Sequence, residues 1–470
     1  MKSAEVSQNE DKGPTTSPGR LGVRHLQILL LFFGVCFGYT LRVSMSEAIV
    51  AMSSTKHQSL DVEIYNWTSP ERNLILSSFF WGYTVMQIPS GYIAGVWSAQ
   101  KLLSIGMLLC GIFNVLIPTV ASLGYFAVCI CRVGMGLCQS CLLPCTHTLL
   151  SKWAPPSERA RLGTFAYAGA QFGTVVCFPI SGFVASLVGW PSIFYLFGGC
   201  ALLWSIIFFF FGADSPSQST RISEKERRYI ENSLKSDTDE KSSNEPKAKT
   251  PWKAIFTSVP MWALIIAHCG QNWGYWTLIT ELPTYMDKVL EYNLEQNGMM
   301  AALPYLAMWI LSFPMCWAAD YALDKGVSRG VTRKVCNSIA HWGPAVALIC
   351  LAAMQVHDSA TAVAILVVAV GLNAGSLCGF QINHIDLSPN FAGTMMSITN
   401  CIASVVAIIA PLVCSAIVTT EKETDPTYWN IVFYVSAAIY FLGNLIFIIF
   451  GQAEVQSWNS PTSEKEIRMA

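Results

Sequence analysis

The sequence predicts an all-α protein that crosses a membrane twelve times and is built from two halves of six helices each. Three observations point to this fold class. Of the 470 residues, 53% are hydrophobic and only 13% are charged, and the mean hydropathy is +0.43, a balance typical of membrane proteins. Twelve apolar segments each approach the ~20 residues that a helix needs to span a bilayer. One long polar stretch separates the first six segments from the last six.

The twelve predicted spans follow one another along the chain with short connections. In the first half they lie at about 26–51, 73–96, 102–122, 125–150, 163–187 and 191–212. In the second half they lie at about 255–280, 297–318, 335–355, 360–384, 392–418 and 429–451. A chain this apolar is not expected to be a soluble enzyme.

The stretch 213–253 connects the two halves. Ser, Lys, Glu, Asp and Asn dominate it, so it is too polar to cross a bilayer. Its portion ISEKERRYIENSL predicts a short surface helix, whereas 236–249 is expected to be disordered. The predicted organisation is an N-terminal tail at 1–24, a six-helix bundle at 25–212, this linker, a second six-helix bundle at 254–452 and a C-terminal tail at 453–470.

The basic residues predict the orientation, because cytoplasmic loops hold an excess of Lys and Arg. With the N-terminus inside the cell, the cytoplasmic segments hold 23 of the 29 basic residues and the outward loops hold 4. We therefore expect both termini in the cytoplasm. The sequon Asn66-Trp67-Thr68 falls in the first outward loop, which predicts a glycan on Asn66.

The 16 cysteines all fall in or at the edges of predicted spans. We expect them to be free thiols that serve as small packing residues, since the outward loops contain none that an oxidising compartment could pair. Cys138, Cys141 and Cys145 have a spacing that metal sites also show, but they lie in a buried helix. We interpret them as packing residues and predict no metal site and no bound cofactor.

Arg42 is the first residue that points to function. It lies inside the apolar stretch of the first span, where a guanidinium is unfavourable by about 2.5–3.5 kcal/mol on insertion scales. Such a residue is expected to face the interior of the helix bundle and to meet an anion or a carboxylate there. This pattern favours a carrier of anions.

A second cation lies in the fourth span. Arg132 and Gln139 are seven residues apart, which places them on one helical face, and Gly136 between them allows another helix to approach closely. One interpretation is that Arg132 and Gln139 contact the substrate. The other is that Arg132 is a structural tether that bonds backbone carbonyls near the start of the helix.

A polar cluster of Asn383, His384 and Asp386 ends the tenth span, where Pro389 stops the helix. Asp386 is a candidate for holding a cation or for taking part in a gate. The alternative is a polar network that satisfies helix-end carbonyls and fixes the turn between spans ten and eleven. Asp320, at the end of the eighth span, is expected to pair with Arg333 or Lys334 in the loop that follows.

Six separated blocks of the sequence carry a resemblance to a known family. They are SSFFWGYTVMQIPSGYIAG, SKWAPPSERARLGTFAYAGAQFG, GWPSIFYLFG, TPWKAIFTSVPMWA, NWGYWTLITELPTYM and GFQINHIDLSPNFAGTMMSITN. In these blocks the chain resembles the anion:cation symporters that include sialin, the vesicular glutamate transporters and the type I sodium–phosphate cotransporters. Within this family it resembles invertebrate members of the inorganic phosphate cotransporter type. The resemblance covers about 25–455.

The resemblance implies a major facilitator superfamily fold with alternating access to a central site. It also implies that Arg42 is the substrate-anion arginine of the first helix and that Arg132 is the arginine of the fourth. Tyr83, in FFWGY, matches an aromatic residue near the same cavity. We also assign Tyr275, in NWGYW, to substrate binding.

Three departures from the family pattern limit what the resemblance implies. Gln139 replaces a glutamate that is associated with proton coupling in sialin-like and glutamate-transporting members, and an amide does not bind and release a proton at physiological pH. Gln271 stands where the vesicular glutamate transporters have an arginine, which disfavours vesicular glutamate loading. Glu47 is unusual in the first helix; it is a candidate to pair with Arg42 or to help bind a cation, although its place near the outer end also suits an exposed residue.

The predicted function is secondary transport of inorganic phosphate or of a small organic anion such as glutamate, sialate or urate. The expected partners are this anion, a coupling cation and the lipid bilayer, with no nucleic acid, and the protein is expected to be a monomer. Coupling is expected to rely on sodium or membrane potential more than on a fourth-helix carboxylate, although a proton remains a candidate. The N-terminal tail lacks an acidic dileucine signal, which favours the plasma membrane over lysosomal or vesicular membranes. The alternative function is a membrane sensor or scaffold that keeps the fold without transporting.

Overall fold

The computed structural model describes residues 22–53, 62–241, 250–354 and 358–459. Within these residues the chain is helical and contains no strand. Twelve long helical segments succeed one another in two sets of six, as the sequence predicts. The fold-class prediction is therefore confirmed.

The spans of the first half are Val23–Ser53, Ser69–Val96, Ala99–Ala121, Tyr125–Trp153, Pro156–Val188 and Pro191–Phe211. Those of the second half are Val259–Lys288, Leu294–Asp324, Arg329–Ala353, Ser359–Leu387, Ala392–Ile417 and Pro426–Phe450. Two spans are interrupted. The fourth consists of helices Tyr125–Gln139 and Leu142–Trp153, and the tenth contains a 3₁₀ turn at Asn373–Leu377.

Ten of the twelve helices, among the described residues, are long and apolar enough to cross a membrane by composition alone. The second and seventh spans are the two exceptions. Both carry polar residues along their length, such as Gln87 in the second and His268 and Gln271 in the seventh, and these side chains are buried. Polar residues that face the interior of a bundle are typical of helices that line a substrate pathway.

Glycines set the closest helix contacts. A Cβ atom on Gly136 of the fourth span would collide with the backbone carbonyl of Phe79 in the second span, so these two helices cross backbone to backbone, as the sequence predicts. Gly182 of the fifth span and Gly298 of the eighth are in a similar close contact that joins the two halves. A side chain at either position would force the halves apart.

We call the side of the membrane at which the first span begins and the last span ends the tail side, and the other the opposite side. The linker lies on the tail side and is tied to the first half. The Glu226 carboxylate accepts hydrogen bonds from the backbone N–H groups of Val23 and Arg24 and from the Arg24 guanidinium, at 2.9–3.2 Å. Arg24 also pairs with Glu158 at the start of the fifth span. The linker thus caps the N-terminus of the first span.

The linker helix runs from Glu224 to Lys241, which corrects part of the sequence-based expectation. Its start agrees with the predicted surface helix, but 236–241 are helical rather than disordered. The exposed pairs that Glu224 makes with Arg227 and Arg228, three and four residues along, favour this helix. Residues 242–249 lie outside the described residues.

Asp214 fixes the beginning of the linker against two neighbouring spans. Its carboxylate lies 2.5 Å from the Lys152 ammonium and accepts hydrogen bonds from the backbone N–H of Gln100 and from the Ser98 hydroxyl. Burial opposes ionisation of this group, but these partners together hold its pKa below its ordinary value. Asp214 is therefore charged at neutral pH.

On the opposite side the two halves are in contact. Ser69 donates to the backbone carbonyl of Val418 at 2.7 Å, its N–H donates to the Thr420 hydroxyl at 2.8 Å, and Arg72 forms an ion pair with Glu423. The cavity between these groups has a volume of about 10 Å³, room for about one water. The opposite side is closed.

The eighth span is packed differently towards the tail side. Nine consecutive residues, 310–318, include none that is buried, although they cover more than two helical turns. A helix that packs on one face buries residues every three or four positions. The tail-side half of this span is therefore only partly covered: Leu311, Met315 and Cys316 contact the tenth span, and most of its other residues are exposed.

All sixteen cysteines are free and lie in or beside the spans, as expected. No group of three or more His, Cys, Asp or Glu residues in the described chain is arranged to hold a metal ion. Cys141 contacts the carbonyls of Cys138 and Leu102, which fits its interpretation as a packing residue.

Candidate substrate-binding site

Arg42 lies between the two halves and is 5% exposed. Its Nε and Nη2 atoms both donate to the Gln139 side-chain oxygen, at 3.0 and 2.8 Å. The partner is a neutral amide, so the hydrogen bonds orient the guanidinium without neutralising its charge. In the described part of the chain Arg42 forms no ion pair.

Four aromatic rings surround the Arg42 guanidinium. Its central carbon lies 4.7–4.9 Å from the ring centroids of Tyr39, Phe79 and Tyr83 and 5.6 Å from that of Trp276. The first three rings belong to the first two spans, whereas Trp276 belongs to the seventh. The faces of aromatic rings attract cations, each by about 0.5–2 kcal/mol depending on desolvation. We refer to these four rings as the aromatic cage.

Gln139 is fully buried and bonded through both ends of its amide. Its oxygen accepts from Arg42, while its nitrogen donates to the backbone carbonyl of Gly38 at 2.7 Å. A carboxylate at this position would lose the second bond, because it has no hydrogen to donate. The neutral amide therefore ties the fourth span to the first and leaves the charge of Arg42 available.

Arg132 is the second buried cation, with 2% exposure. It donates to the backbone carbonyl of Arg42 at 3.5 Å, a long contact, and its Nε has no hydrogen-bond partner in the described chain. The Phe79 ring lies 5.2 Å from its guanidinium, so one ring contacts both cations. The bond to a carbonyl agrees with the tether interpretation, but it leaves the buried Nε without a partner in the described chain.

The two guanidinium groups make the centre of the protein electropositive. Neither forms an ion pair with a carboxylate among the described residues. Buried cations without partners are strongly unfavourable, by several kcal/mol each, unless an anion compensates them. This arrangement fits an anion better than any neutral or cationic ligand.

The other predicted substrate contacts lie nearby. Tyr83 belongs to the aromatic cage. The Tyr275 ring is 5.4 Å from Trp276 and 6.0 Å from Tyr305, and Thr174 of the fifth span lies within hydrogen-bonding reach of it. Gln271 is buried one turn away, with its side-chain oxygen unpaired in the described chain.

Glu47 does not pair with Arg42, contrary to one sequence-based expectation. It lies five residues further along the helix and therefore on another face. It is also not exposed, contrary to a second expectation: its exposure is 0% and both carboxylate oxygens lack hydrogen-bond partners in the described chain. That it helps to bind a cation stays a prediction. Asp287 of the seventh span is the acidic group that faces it.

The cluster at the end of the tenth span forms a polar network within the second half. Asn383 donates to the backbone carbonyl of Gln452, and His384 bonds the Thr399 hydroxyl of the eleventh span, both at 2.9 Å. These bonds favour the interpretation as a helix-end network over that of a cation site.

Asp386 pairs with a residue that the sequence analysis had assigned to Asp320. Its carboxylate lies 2.6 Å from the Arg333 Nε, and this ion pair is buried. Arg333 is not in a loop but inside the helix Arg329–Ala353, so it pairs with Asp386 rather than with Asp320, which is exposed. A carboxylate already neutralised by a guanidinium is a poor site for a further cation.

Several residues of the centre were missed by the sequence reading. Tyr39 lies three residues before Arg42, and Phe79 lies four residues before Tyr83. Helical spacing therefore places each of them beside a residue that was predicted for the site. Trp276 follows Tyr275 directly. No local signal marks the opposite-side charges Arg72 and Glu423, because their contact depends on how the two halves meet.

Asn66 lies on the opposite side and is exposed. The following Thr68 caps the second span in a reciprocal arrangement with Glu71. The sequon is thus accessible at its asparagine.

Residues 28–411 match the family described as "Major Facilitator Superfamily". The chain belongs to this family. It is 41% identical over 94% of its length to a Drosophila melanogaster protein named "Putative inorganic phosphate cotransporter", of which it covers 87%. It is 33% identical over 94% of its length to human sialin, of which it covers 92%. These relatives confirm the predicted anion:cation symporter branch of the superfamily and a transporter rather than an enzyme.

A similar fold occurs in the crystal structure of a bacterial homologue of the human lysosomal transporter Spinster, solved in an inward-facing conformation. The TM-score is 0.66 at 15% identity, over 94% of this chain and all of that chain. The likeness shows a shared fold, while the family match and the relatives show a multi-pass integral membrane protein.

The Arg333–Asp386 pair generates a prediction about stability. Asp386→Asn leaves a buried guanidinium without its carboxylate and is expected to cost about 3–5 kcal/mol, measured as a lower unfolding temperature of the detergent-purified protein. Asp320→Asn, a matched change at an exposed aspartate, should leave the unfolding temperature unchanged. Equal stability of the two variants would contradict the pairing.

Proposed function

We propose that this protein is a secondary active transporter of anions that works by alternating access. The observation that carries the proposal is the pair of buried guanidinium groups, Arg42 and Arg132, which lack ion-pair partners in the described chain. The names of the relatives, a phosphate cotransporter and sialin, support an anionic cargo. The substrate is inorganic phosphate or a small organic anion such as glutamate, sialate or urate.

Arg42 is the proposed anion contact. Its Nη1 makes no hydrogen bond in the described chain, so part of its donor fork remains available to an oxyanion while Gln139 orients the rest. The walls of the proposed anion site around Arg42 are formed by Arg132, Gln139, Tyr83 and Tyr275. A carrier alternates between two states, each closed on one side of the membrane. The structure corresponds to the state closed on the opposite side, in which the tail-side half of the eighth span is loosely packed.

The anion is proposed to move together with a cation, either sodium or a proton. Gln139 does not supply a titrating group, and its two hydrogen bonds give it a different role as a neutral brace for Arg42. Asn383, His384 and Asp386 are proposed to stabilise the tail-side end of the second half rather than to hold the cation.

We propose that the tail side is cytoplasmic, that Asn66 carries a glycan and that the protein resides in the plasma membrane. The excess of basic residues on the tail side supports the orientation. The exposure of Asn66 on the opposite side is consistent with it.

Substitution of Arg42 tests the substrate site. Uptake of labelled inorganic phosphate and of labelled organic anions into proteoliposomes should be abolished by Arg42→Ala and reduced at least about tenfold by Arg42→Lys, because an ammonium does not reproduce bidentate anion contacts. Arg329, which is exposed on the tail side, provides the matched control, since Arg329→Ala should transport normally. Normal uptake by Arg42→Ala would end the proposal, and no flux of any anion by the wild type would favour the sensor alternative.

The replacement Gln139→Glu tests the role of the amide. An ionised carboxylate would neutralise Arg42, whereas a protonated one could donate to Gly38 as the amide does. Uptake by this variant should therefore be near normal in acid and fall roughly tenfold, equivalent to about 1.4 kcal/mol of anion binding, as the pH rises. Gln296→Glu, at an exposed position, should keep the wild-type pH profile, and an unchanged profile in Gln139→Glu would contradict the proposed brace.

The topology has its own test in intact cells. Asn66→Gln should abolish any shift in gel mobility that glycosidase treatment also removes. An epitope inserted near Ser242 should be labelled by antibody only after permeabilisation. Labelling of intact cells that carry the protein at their surface would reverse the orientation and the sidedness of transport.

A further inference from the structure

Glu47 is the buried charge-bearing group that the proposed anion site does not explain. It lies in the first span, beyond Arg42 towards the opposite side, and its exposure is 0%. Both of its carboxylate oxygens lack a hydrogen-bond partner in the described chain. The facing acidic group, Asp287, belongs to the seventh span, so a carboxyl group from each half of the transporter meets at the closed end.

The charges around this pair are unequally distributed. The Asp287 carboxylate lies 3.1 Å from the Lys288 ammonium, and Arg72 of the second span also acts on it electrostatically. Arg72 in turn interacts with Glu281 and is paired with Glu423. Asp287 is thus supplied with positive charge from two directions.

Among the described residues, no positively charged group compensates Glu47 in this way. The titratable groups shown to interact with it there are Asp287 and the Cys177 thiol of the fifth span, which brings no positive charge. An ionised carboxylate buried without a partner is unfavourable by several kcal/mol, and a second carboxylate opposite it adds repulsion. A neutral carboxyl group in the same place avoids both the cost of burying an unpaired charge and the repulsion by Asp287.

We propose that Glu47 is a proton-binding site that controls closure of the opposite side. Glu47 takes up one proton from the water on that side before the two halves meet, and the closed state holds it as a neutral carboxyl group opposite Asp287. When the halves separate on that side, water reaches the Glu47 carboxyl group, and the group releases its proton to this water. No other bond is made or broken.

This inference rests on the proposed function, since closure matters only in a protein that alternates. It places the proton response on the contact between the first and seventh spans rather than on the fourth span, where Gln139 cannot titrate. Acid on the opposite side then favours the closed state. A metal ion is a poorer occupant, because no three acidic, histidine or cysteine side chains of the described chain, Glu47, Asp287 and Cys177 included, are arranged to hold one.

The test measures closure directly and needs no substrate. Backbone amide hydrogen exchange is followed in peptides covering 69–76 and 418–425 of the purified full-length protein at pH 5.5 and pH 8, with exchange times corrected for the intrinsic effect of pH. The wild type should exchange about tenfold more slowly at pH 5.5. Glu47→Gln should be protected equally at both pH values, whereas Glu47→Asp, which still titrates, should keep the pH dependence.

The controls separate this site from its surroundings. Glu295 is exposed on the same side of the membrane, and Glu295→Gln should behave as the wild type. If Glu47→Gln does not fold, Glu47→Leu provides a second non-titrating variant with the same expected result. Exchange that does not depend on pH in the wild type, or that still depends on pH in the non-titrating variants, would overturn the proposal. Because exchange needs no cargo, a failure of anion uptake would count against the proposed function alone.

Discussion

The arrangement at the centre of this protein depends on how a buried guanidinium is held without being neutralised. Arg42 is oriented by the amide oxygen of Gln139, and the other end of that amide bonds the backbone of Gly38 in the same helix as Arg42. The first and fourth spans are therefore joined through a neutral brace. An acidic residue would have formed a stronger bond to Arg42 but would have neutralised the positive charge that attracts an anion. The same consideration applies to Arg132, whose hydrogen bond within the described residues goes to a carbonyl rather than to a carboxylate.

The two ends of the molecule use different chemistry. At the opposite side the halves meet through a close glycine contact, between Gly182 and Gly298, and through the ion pair of Arg72 with Glu423. At the tail side the contacts described above lie within each half: Glu226 binds Arg24 in the first half, and Asp386 binds Arg333 in the second. Strong bonds within each half and separable contacts between them are what rigid-body movement requires.

Much of the fold followed from the sequence, because hydrophobic length is a property of each segment alone. Every predicted span corresponds to a helical segment, two of them interrupted, and Gly136 was correctly expected at a close crossing. The site followed in part: Arg42 and Gln139 were singled out, but their direct contact was not, since spacing within one helix does not say which neighbour it meets. The pairing of Arg333 with Asp386 and the burial of Glu47 also depend on tertiary contacts, and there the expected pairing of Asp320 with Arg333 and the expected exposure of Glu47 were wrong. The linker helix extends beyond its expected end, to Lys241, within a composition typical of disorder.

Trp276 has a consequence that follows from its position in the chain. It is the member of the aromatic cage that comes from the second half, so its distance from Arg42 changes whenever the two halves move relative to each other. A movement that takes Trp276 away from Arg42 would weaken a cation–π contact of about 0.5–2 kcal/mol. An anion that competes with this ring for Arg42 therefore has two affinities, one for each conformation, and by thermodynamic linkage its binding shifts the conformational equilibrium by the same ratio. The Trp276 ring thereby couples binding of the anion to the conformational change that transports it.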